Sequence, residues 1–283
     1  VVAHPDDEIL FAGLLYKLYT HLDGAADVVV ITNGEGGFKY STLVRLRGGL
    51  DLTDQVQGRR ILPDMRRREM RESCKVLQVR DLLFLGQQDH RYTQDVGEIL
   101  GPDAEVWDQD QVRRVLRNQL KKHDYDFVLL LAPTTETHGH HQAATFLTLE
   151  VLAELEQHER PIALCARSAS EETPRPEAPA ARPNFPLSQL RPGAPIRVFD
   201  RTQSFGHKNR LDYRIIANWA IAEHKTQGTM QLLMNHALQE HYFLFDLSPQ
   251  DAGEELDTLF ARLAEDQFPV REYDASAGTN ATK

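Results

Sequence analysis

The chain has 283 residues, a formal net charge of −10 and 41% hydrophobic residues, enough apolar material to bury one large α/β core. That acidic balance argues against a phosphate-backbone binder, which needs clustered Lys and Arg, so nucleic acid is not an expected partner. The longest apolar run, Phe127 to Pro133, is far short of the roughly 20 residues needed to cross a bilayer and has the length of a buried strand, so no membrane span is expected.

In chain order, strands are predicted at Val1 to Ala3, Asp27 to Thr32, Asp81 to Leu85, Asp126 to Ala132, Ile162 to Ala166, Ile196 to Phe199 and Tyr242 to Asp246. Helical spacing occupies Glu8 to Leu22, Pro63 to Leu77, Asp110 to His123, His141 to Gln157 and Asn209 to Gln227. This alternation predicts an α/β fold, a Rossmann-like, mainly parallel sheet flanked by helices with an additional C-terminal α/β portion, in a single domain spanning 1–283. Catalytic groups in such a sheet belong beyond the carboxyl ends of the strands. The stretch 38–62, rich in Gly and Arg, is too long for an ordinary connection and reads as an insertion, either a specificity flap or a surface excursion. Residues 168–192, dense in Pro, Glu and Ala, predict an exposed, partly mobile loop, and 275–283 a flexible tail. Cys74 and Cys165 each sit in an apolar segment and are expected to be buried free thiols. The chain opens inside a strand with no initiator Met, so residues upstream are expected; a cytoplasmic location is expected, with a removed signal segment left open.

The first strand ends in Ala3-His4-Pro5-Asp6-Asp7-Glu8. Acidic residues there serve routinely as helix caps, but capping leaves His4 at the strand's carboxyl end unexplained. Imidazole and carboxylate at a strand-to-helix turn suit a divalent metal, particularly zinc, although spacing leaves open whether Asp6 or Asp7 would bind it. The matching place in another βα unit carries Thr137-His138-Gly139-His140-His141-Gln142-Ala143-Ala144. Read alone this is also a solvated polar turn; paired with the first motif it favours a metal site. Two His and one Asp leave a coordination position for water, and an adjacent carboxylate can take that water's proton. No Gly-x-Ser-x-Gly elbow is present, and neither Cys lies in a catalytic turn.

These motifs resemble those of the PIG-L/LmbE-like family of zinc-dependent N-deacetylases. Residues 3–8 and the His-x-x-His at 138–141 match that family's two signatures. The turn Ile31-Thr32-Asn33-Gly34-Glu35-Gly36-Gly37 is similar to its Thr-x-Gly-Glu-x-Gly segment, Arg66 and Glu69 to its Arg-x-x-Glu helix, and His224-Lys225-Thr226-Gln227 to its His-x-Ser/Thr-Gln segment. A dinucleotide loop at Gly34 is disfavoured because the full Gly-x-Gly-x-x-Gly spacing is absent. The resemblance implies that His4, Asp7 and His141 hold one Zn2+ per chain, that Asp6 is the general base, and that His138 stabilises the oxyanion and protonates the departing amine. It implies substrate-binding roles for Arg66, Asp89 and His224. Each of these three also has an ordinary reading: a solvated Arg, a turn Asp and a structural His at a helix end. His90, His140 and His236 carry no assigned role.

The implied activity is hydrolysis of an N-acetyl amide on an amino sugar or a conjugate containing N-acetylglucosamine (GlcNAc). The alternatives are a zinc amidase acting on a non-sugar amide, such as a thiol conjugate, and a catalytically silent sugar-binding protein. The family is often oligomeric, so a homo-oligomer is compatible with the resemblance. The departures at 38–62 and 168–208 leave the substrate open.

Overall fold

Short apolar runs build the strands, β-branched in the first and rich in leucine in the next two. Val28 to Ile31 fill the middle of β1 (Asp27–Thr32), which pairs in parallel with β2 (Asp81–Gln87), Asp27 opposite Asp81. Next, β3 (Phe127–Leu131) pairs in parallel with β4 (Ile162–Ala169), Phe127 opposite Ile162. The predicted strand Val1 to Ala3 is reduced to a parallel bridge between Val2 and Val30. It still joins the two pairs: Val2 N–H donates to Val29 O, and the Val1 ammonium donates to Leu129 O at 2.8 Å. The computed structural model describes residues 1–44 and 50–265; part of the 38–62 stretch and the whole of 275–283 lie outside the described residues.

The C-terminal portion is antiparallel. After β5 (Arg197–Asp200) and the two-residue pair β6 (Ser204–Phe205) and β7 (Leu211–Asp212), the strand β8 (Gln239–Leu244) inserts antiparallel between β4 and β5. The buried ion pair Arg201–Glu240, 2.7 Å, fastens this sheet to the amino-terminal half. Glu240 also accepts the N–H groups of Gly13 (2.7 Å) and Leu14 (3.1 Å) at the start of the first helix.

A 3-10 turn, Asp7–Phe11, leads into α1 (Ala12–Leu22), so the predicted helix from Glu8 begins tighter than an α-helix. Helix α2 (Gln55–Val76) starts eight residues before the predicted Pro63. The Asp54 carboxylate accepts Gln57 N–H at 2.9 Å and caps it, while Leu62 is buried with Phe38 and Leu52 in a small separate apolar cluster. Much of the 38–62 insertion is therefore ordered structure, a 3-10 segment Glu35–Leu43 followed by the first turns of α2. The short α3 (Gly97–Leu100) precedes α4 (Gln109–Lys122), which buries Val112 and Leu116. Helix α5 (Gly139–Ala153) is buried almost all round, as expected of a helix between layers. Helix α6 (Tyr213–Glu223) is shorter than the predicted 209–227 because Asp212 caps Arg214 N–H at 3.0 Å, and α7 (Ala252–Leu263) was not predicted. The 168–192 segment is exposed in its first part, but Phe185 stacks on Phe146 with centroids 3.9 Å apart, and Leu190 bridges to Phe245. Both cysteines are free and buried. No helix among the described residues is long and apolar enough to cross a membrane.

Candidate active site and metal centre

Four strand exits meet at the carboxyl edge of the sheet: those after Ala3, β1, β2 and β3. The first carries His4, Asp6 and Asp7. Asp6 has φ 137°, a left-handed backbone conformation that costs a non-glycine residue energy and clusters at functional sites. This turn sends the two neighbouring carboxylates different ways. Asp7 Oδ2 accepts the backbone N–H groups of Ala3 (3.0 Å) and His4 (2.7 Å). Asp6 Oδ2 accepts Arg66 Nη2 at 2.7 Å.

His4 Nδ1 lies 3.1 Å from His141 Nε2 and 3.5 Å from Asp7 Oδ2, and His141 Nε2 lies 3.1 Å from Asp7 Oδ1. These are the spacings of donors sharing a small cation: ligands at about 2.0–2.2 Å from a tetrahedral ion are roughly 3.4 Å apart. His141 Nδ1 sits 3.1 Å from Thr137 Oγ1; with the hydroxyl accepting that N–H, the Nε2 lone pair is left for an ion. Chemistry and spacing of this donor set fit a divalent metal. Burial raises the Asp7 carboxyl, yet His141 and His4 beside it prevail and hold it well below the ordinary value. Asp6 is shifted the opposite way, upward, by burial that the Arg66 charge only partly offsets.

His138, Asp89 and His140 form a second group around the other face of His4, with donor atoms within 4.8 Å of one another. His138 Nδ1 accepts the backbone N–H of His140 at 3.1 Å, which places its single neutral proton on Nε2. Burial and the adjacent His4 and His141 push its pKa down to about 3. The Tyr92 ring stands edge-on to it, 5.0 Å between centroids, and is 66% exposed, so it marks the mouth of the site.

Arg66 is buried, donating to Gly34 O (2.6 Å) and Pro5 O (2.5 Å) as well as to Asp6. Its guanidinium thus braces the turn that carries Asp6. Asp89 Oδ2 accepts Gly36 N–H at 3.0 Å, and Oδ1 lies 3.4 Å from His140 Nδ1 and 3.9 Å from His4 Nε2. The glycine turn makes both placements feasible: a Cβ on Gly34, whose φ is +72°, would lie 2.3 Å from Arg66 Nη1, and one on Gly36 2.5 Å from Asp89 Oδ1. His224 is fully buried, with Nε2 2.6 Å from Glu8 Oε1, which also accepts Ser73 Oγ. It stands behind the turn that carries Asp6 and Asp7. His140 and His90, left without a role by sequence reasoning, belong to the site: His140 Nδ1 is 3.0 Å from His4 Nε2 and its Nε2 is 3.0 Å from His90 Nδ1. Only their membership in a histidine-rich pair of loops hinted at this. A cavity of about 820 Å³ lies at the opposite, amino ends of the strands, and none of these histidines lines it.

The family model described as PIG-L, GlcNAc-PI de-N-acetylase, matches residues 1–152. The chain belongs to this family. Both signature turns lie inside the matched segment. No curated protein matches the chain. Among solved structures, the A40926 pseudoaglycone deacetylase Dbv21 is 16% identical over 86% of this chain and 95% of its own, with a TM-score of 0.51. The 4-carboxy-2-hydroxymuconate hydratase GalB of Pseudomonas putida is 15% identical over 86% of this chain and 93% of its own, with a TM-score of 0.50. The N,N'-diacetylchitobiose deacetylase of Pyrococcus horikoshii is 21% identical over 57% of each chain, with a TM-score of 0.40. Dbv21 and GalB share the fold of this chain; since one is named a deacetylase and the other a hydratase, the fold alone does not select the reaction.

Proposed function

We propose that this PIG-L family member hydrolyses the N-acetyl amide of an amino sugar or a GlcNAc-containing conjugate, releasing acetate and a free amine, with zinc held by His4, Asp7 and His141. The observation that carries the reading is the trio of donor atoms spaced 3.1–3.5 Å apart, with a second carboxylate, Asp6, next to Asp7 in the chain but held elsewhere. Zinc in such a site supplies a Lewis acid for the acetyl carbonyl and lowers the pKa of a water molecule.

Asp6, kept in place by Arg66 and shifted upward by burial, takes the proton of the attacking water. His138 offers its Nε2–H to the tetrahedral oxyanion, because its Nδ1 is committed to the His140 amide. With His138 neutral, the proton gained by Asp6 is the one returned to the departing amine. Arg66 and His224 act by holding Asp6 and Glu8, and Asp89 by bordering His4 and the glycine turn. The sugar preference is supported by the family's description as a GlcNAc-PI de-N-acetylase.

The test is mass-spectrometric detection of acetate and amine after incubating the zinc form with N-acetylglucosamine conjugates, and in parallel with N-acylated non-sugar amines. Release from the sugar panel is expected. Turnover confined to the non-sugar panel refutes the substrate class, and sugar binding with no release from either panel refutes the catalytic reading.

A further inference from the structure

A neutral imidazole has one N–H and one lone pair, so hydrogen bonds between imidazoles have a direction, and a chain of them transmits it. Such a chain runs from the site to the surface. His4 Nε2 is 3.0 Å from His140 Nδ1, His140 Nε2 is 3.0 Å from His90 Nδ1, and His90 Nε2 is 3.0 Å from Glu98 Oε2. At its outer end Glu98 also accepts Arg91 Nε (3.0 Å) and Thr93 Oγ1 (3.1 Å), with Arg91 Nη2 2.8 Å from Oε1, so it is an ionised acceptor. A carboxylate has no proton to give, so His90 must donate through Nε2. With one proton on each ring His90 accepts at Nδ1, so His140 donates through Nε2 and takes its Nδ1 bond from His4 Nε2, at 3.0 Å nearer than Asp89 Oδ1 at 3.4 Å; His4 in turn donates through Nε2. The ring nitrogen left bare on His4 is Nδ1, the atom facing Asp7 and His141.

We propose that Glu98, through His90 and His140, sets the tautomer and ring orientation of His4, so that His4 presents an unprotonated Nδ1 to a divalent metal. Metal-bound histidines ordinarily rest their outer N–H on a carboxylate or carbonyl directly; here two imidazoles are interposed. Packing holds the links in line. Trp107 lies against His140, centroids 5.3 Å apart, and is itself anchored by Nε1–H on Gln88 O at 3.0 Å. The loop leading into α3, which bears Glu98, is docked on the histidine turn by Gly139 N–H to Thr93 O, 2.7 Å; a Cβ on Gly139 would come within 3.1 Å of Asp95 O. Glu98, His90 and His140 are thus positioning residues.

This inference rests on His4 being a metal ligand, and the test separates the two claims. In the metal-free protein labelled with 15N, the ring signals of His4, assigned by loss in His4→Gln, are expected to be those of the Nε2–H tautomer. Zn2+ affinity, measured by competition with a chromophoric chelator, should fall about tenfold or more in Glu98→Ala and in His90→Phe, while thermal unfolding of the metal-free variants reports their folding. An Nδ1–H tautomer for His4 in the wild-type protein overturns the inference, as does unchanged Zn2+ affinity in a folded Glu98→Ala. If Glu98→Ala does not fold, the wild-type ring spectrum decides alone. Unchanged Zn2+ affinity in His4→Gln instead overturns the proposed metal centre itself.

Discussion

Replacing Asp6 by asparagine removes a base and little else. The carboxamide oxygen can still accept from Arg66 Nη2, which lies 2.7 Å from Asp6 Oδ2. Asparagine also tolerates positive φ better than most residues, so the turn at φ 137° should persist. None of the donor atoms of His4, Asp7 and His141 belongs to Asp6, so zinc content should stay at one ion per chain. What disappears is a positioned acceptor for the water's proton, a contribution of about 10²–10⁴ in rate. At about 1.36 kcal/mol per tenfold, that is roughly 2.7–5.4 kcal/mol of transition-state stabilisation. The assay is steady-state acetate release with the metal content of the same samples determined by mass spectrometry, and kcat is expected to fall by that factor with KM little changed. Near-native turnover in a fully zinc-loaded Asp6→Asn protein would refute the base assignment. Loss of zinc would show instead that Asp6 is a ligand.

His141→Ala removes one of three donors and should weaken Zn2+ binding by more than the roughly 100-fold that loss of an outer partner can cost; retained stoichiometric zinc at micromolar free ion would contradict the ligand set. Gly34→Ala places a methyl group 2.3 Å from Arg66 Nη1 at a φ of +72°. Strain and clash together should cost about 2 kcal/mol or more in chemical denaturation, with turnover falling as Arg66 releases Asp6; unchanged stability would mean that the turn is not as tight as described. Asp27 tests the opposite end of the sheet. Burial raises its carboxyl, but hydrogen bonds from Arg80 (2.8 and 2.6 Å) and Tyr125 (2.6 Å) outweigh that and hold it below 3.8. A lowered folded-state value contributes stability that is present above the ordinary carboxylate value and is lost as pH falls through the folded one. Asp27→Asn should therefore be destabilised by about 1–2 kcal/mol at neutral pH, a deficit that shrinks only below about pH 4; a deficit constant down to pH 2 would refute the assignment.

The parallel core was legible because its strands are short apolar runs and its turns carry chemistry-bearing residues that periodicity leaves unexplained. His4 and Asp7 at one strand exit and His138 and His141 at another could be paired from sequence, since the sheet topology brings strand exits to one edge. Helix α2 was misjudged because Pro63 reads as a first-turn residue, whereas Asp54 supplies the cap and the helix runs through the proline. Arg66 could be singled out by the Arg-x-x-Glu resemblance, but its partners, Pro5, Asp6 and Gly34, are distant in sequence and invisible to spacing. His90, His140 and Glu98 were missed for the same reason: hydrogen-bond direction is a property of a three-dimensional chain of groups, and no local pattern encodes it.

The two acidic residues after Pro5 were indistinguishable as a pair in the sequence, and their environments now argue for different tasks. Asp7 receives two backbone N–H groups and faces two imidazoles, all of which favour its anion, and it is held well below the ordinary value. A carboxylate that stays charged whatever its surroundings do is suited to gripping a cation. Asp6, one residue earlier and turned away by the strained backbone, is shifted upward by burial against a single guanidinium. A carboxylate more willing to hold a proton is suited to taking one and giving it back. Adjacent carboxyl groups whose environments drive their pKa values apart divide labour in this way in acid–base enzymes, and here the division depends on one backbone dihedral. Relaxing the φ of Asp6 would return both side chains toward one environment, so the strain at that residue is best understood as the cost of keeping the proposed ligand and the proposed base distinct.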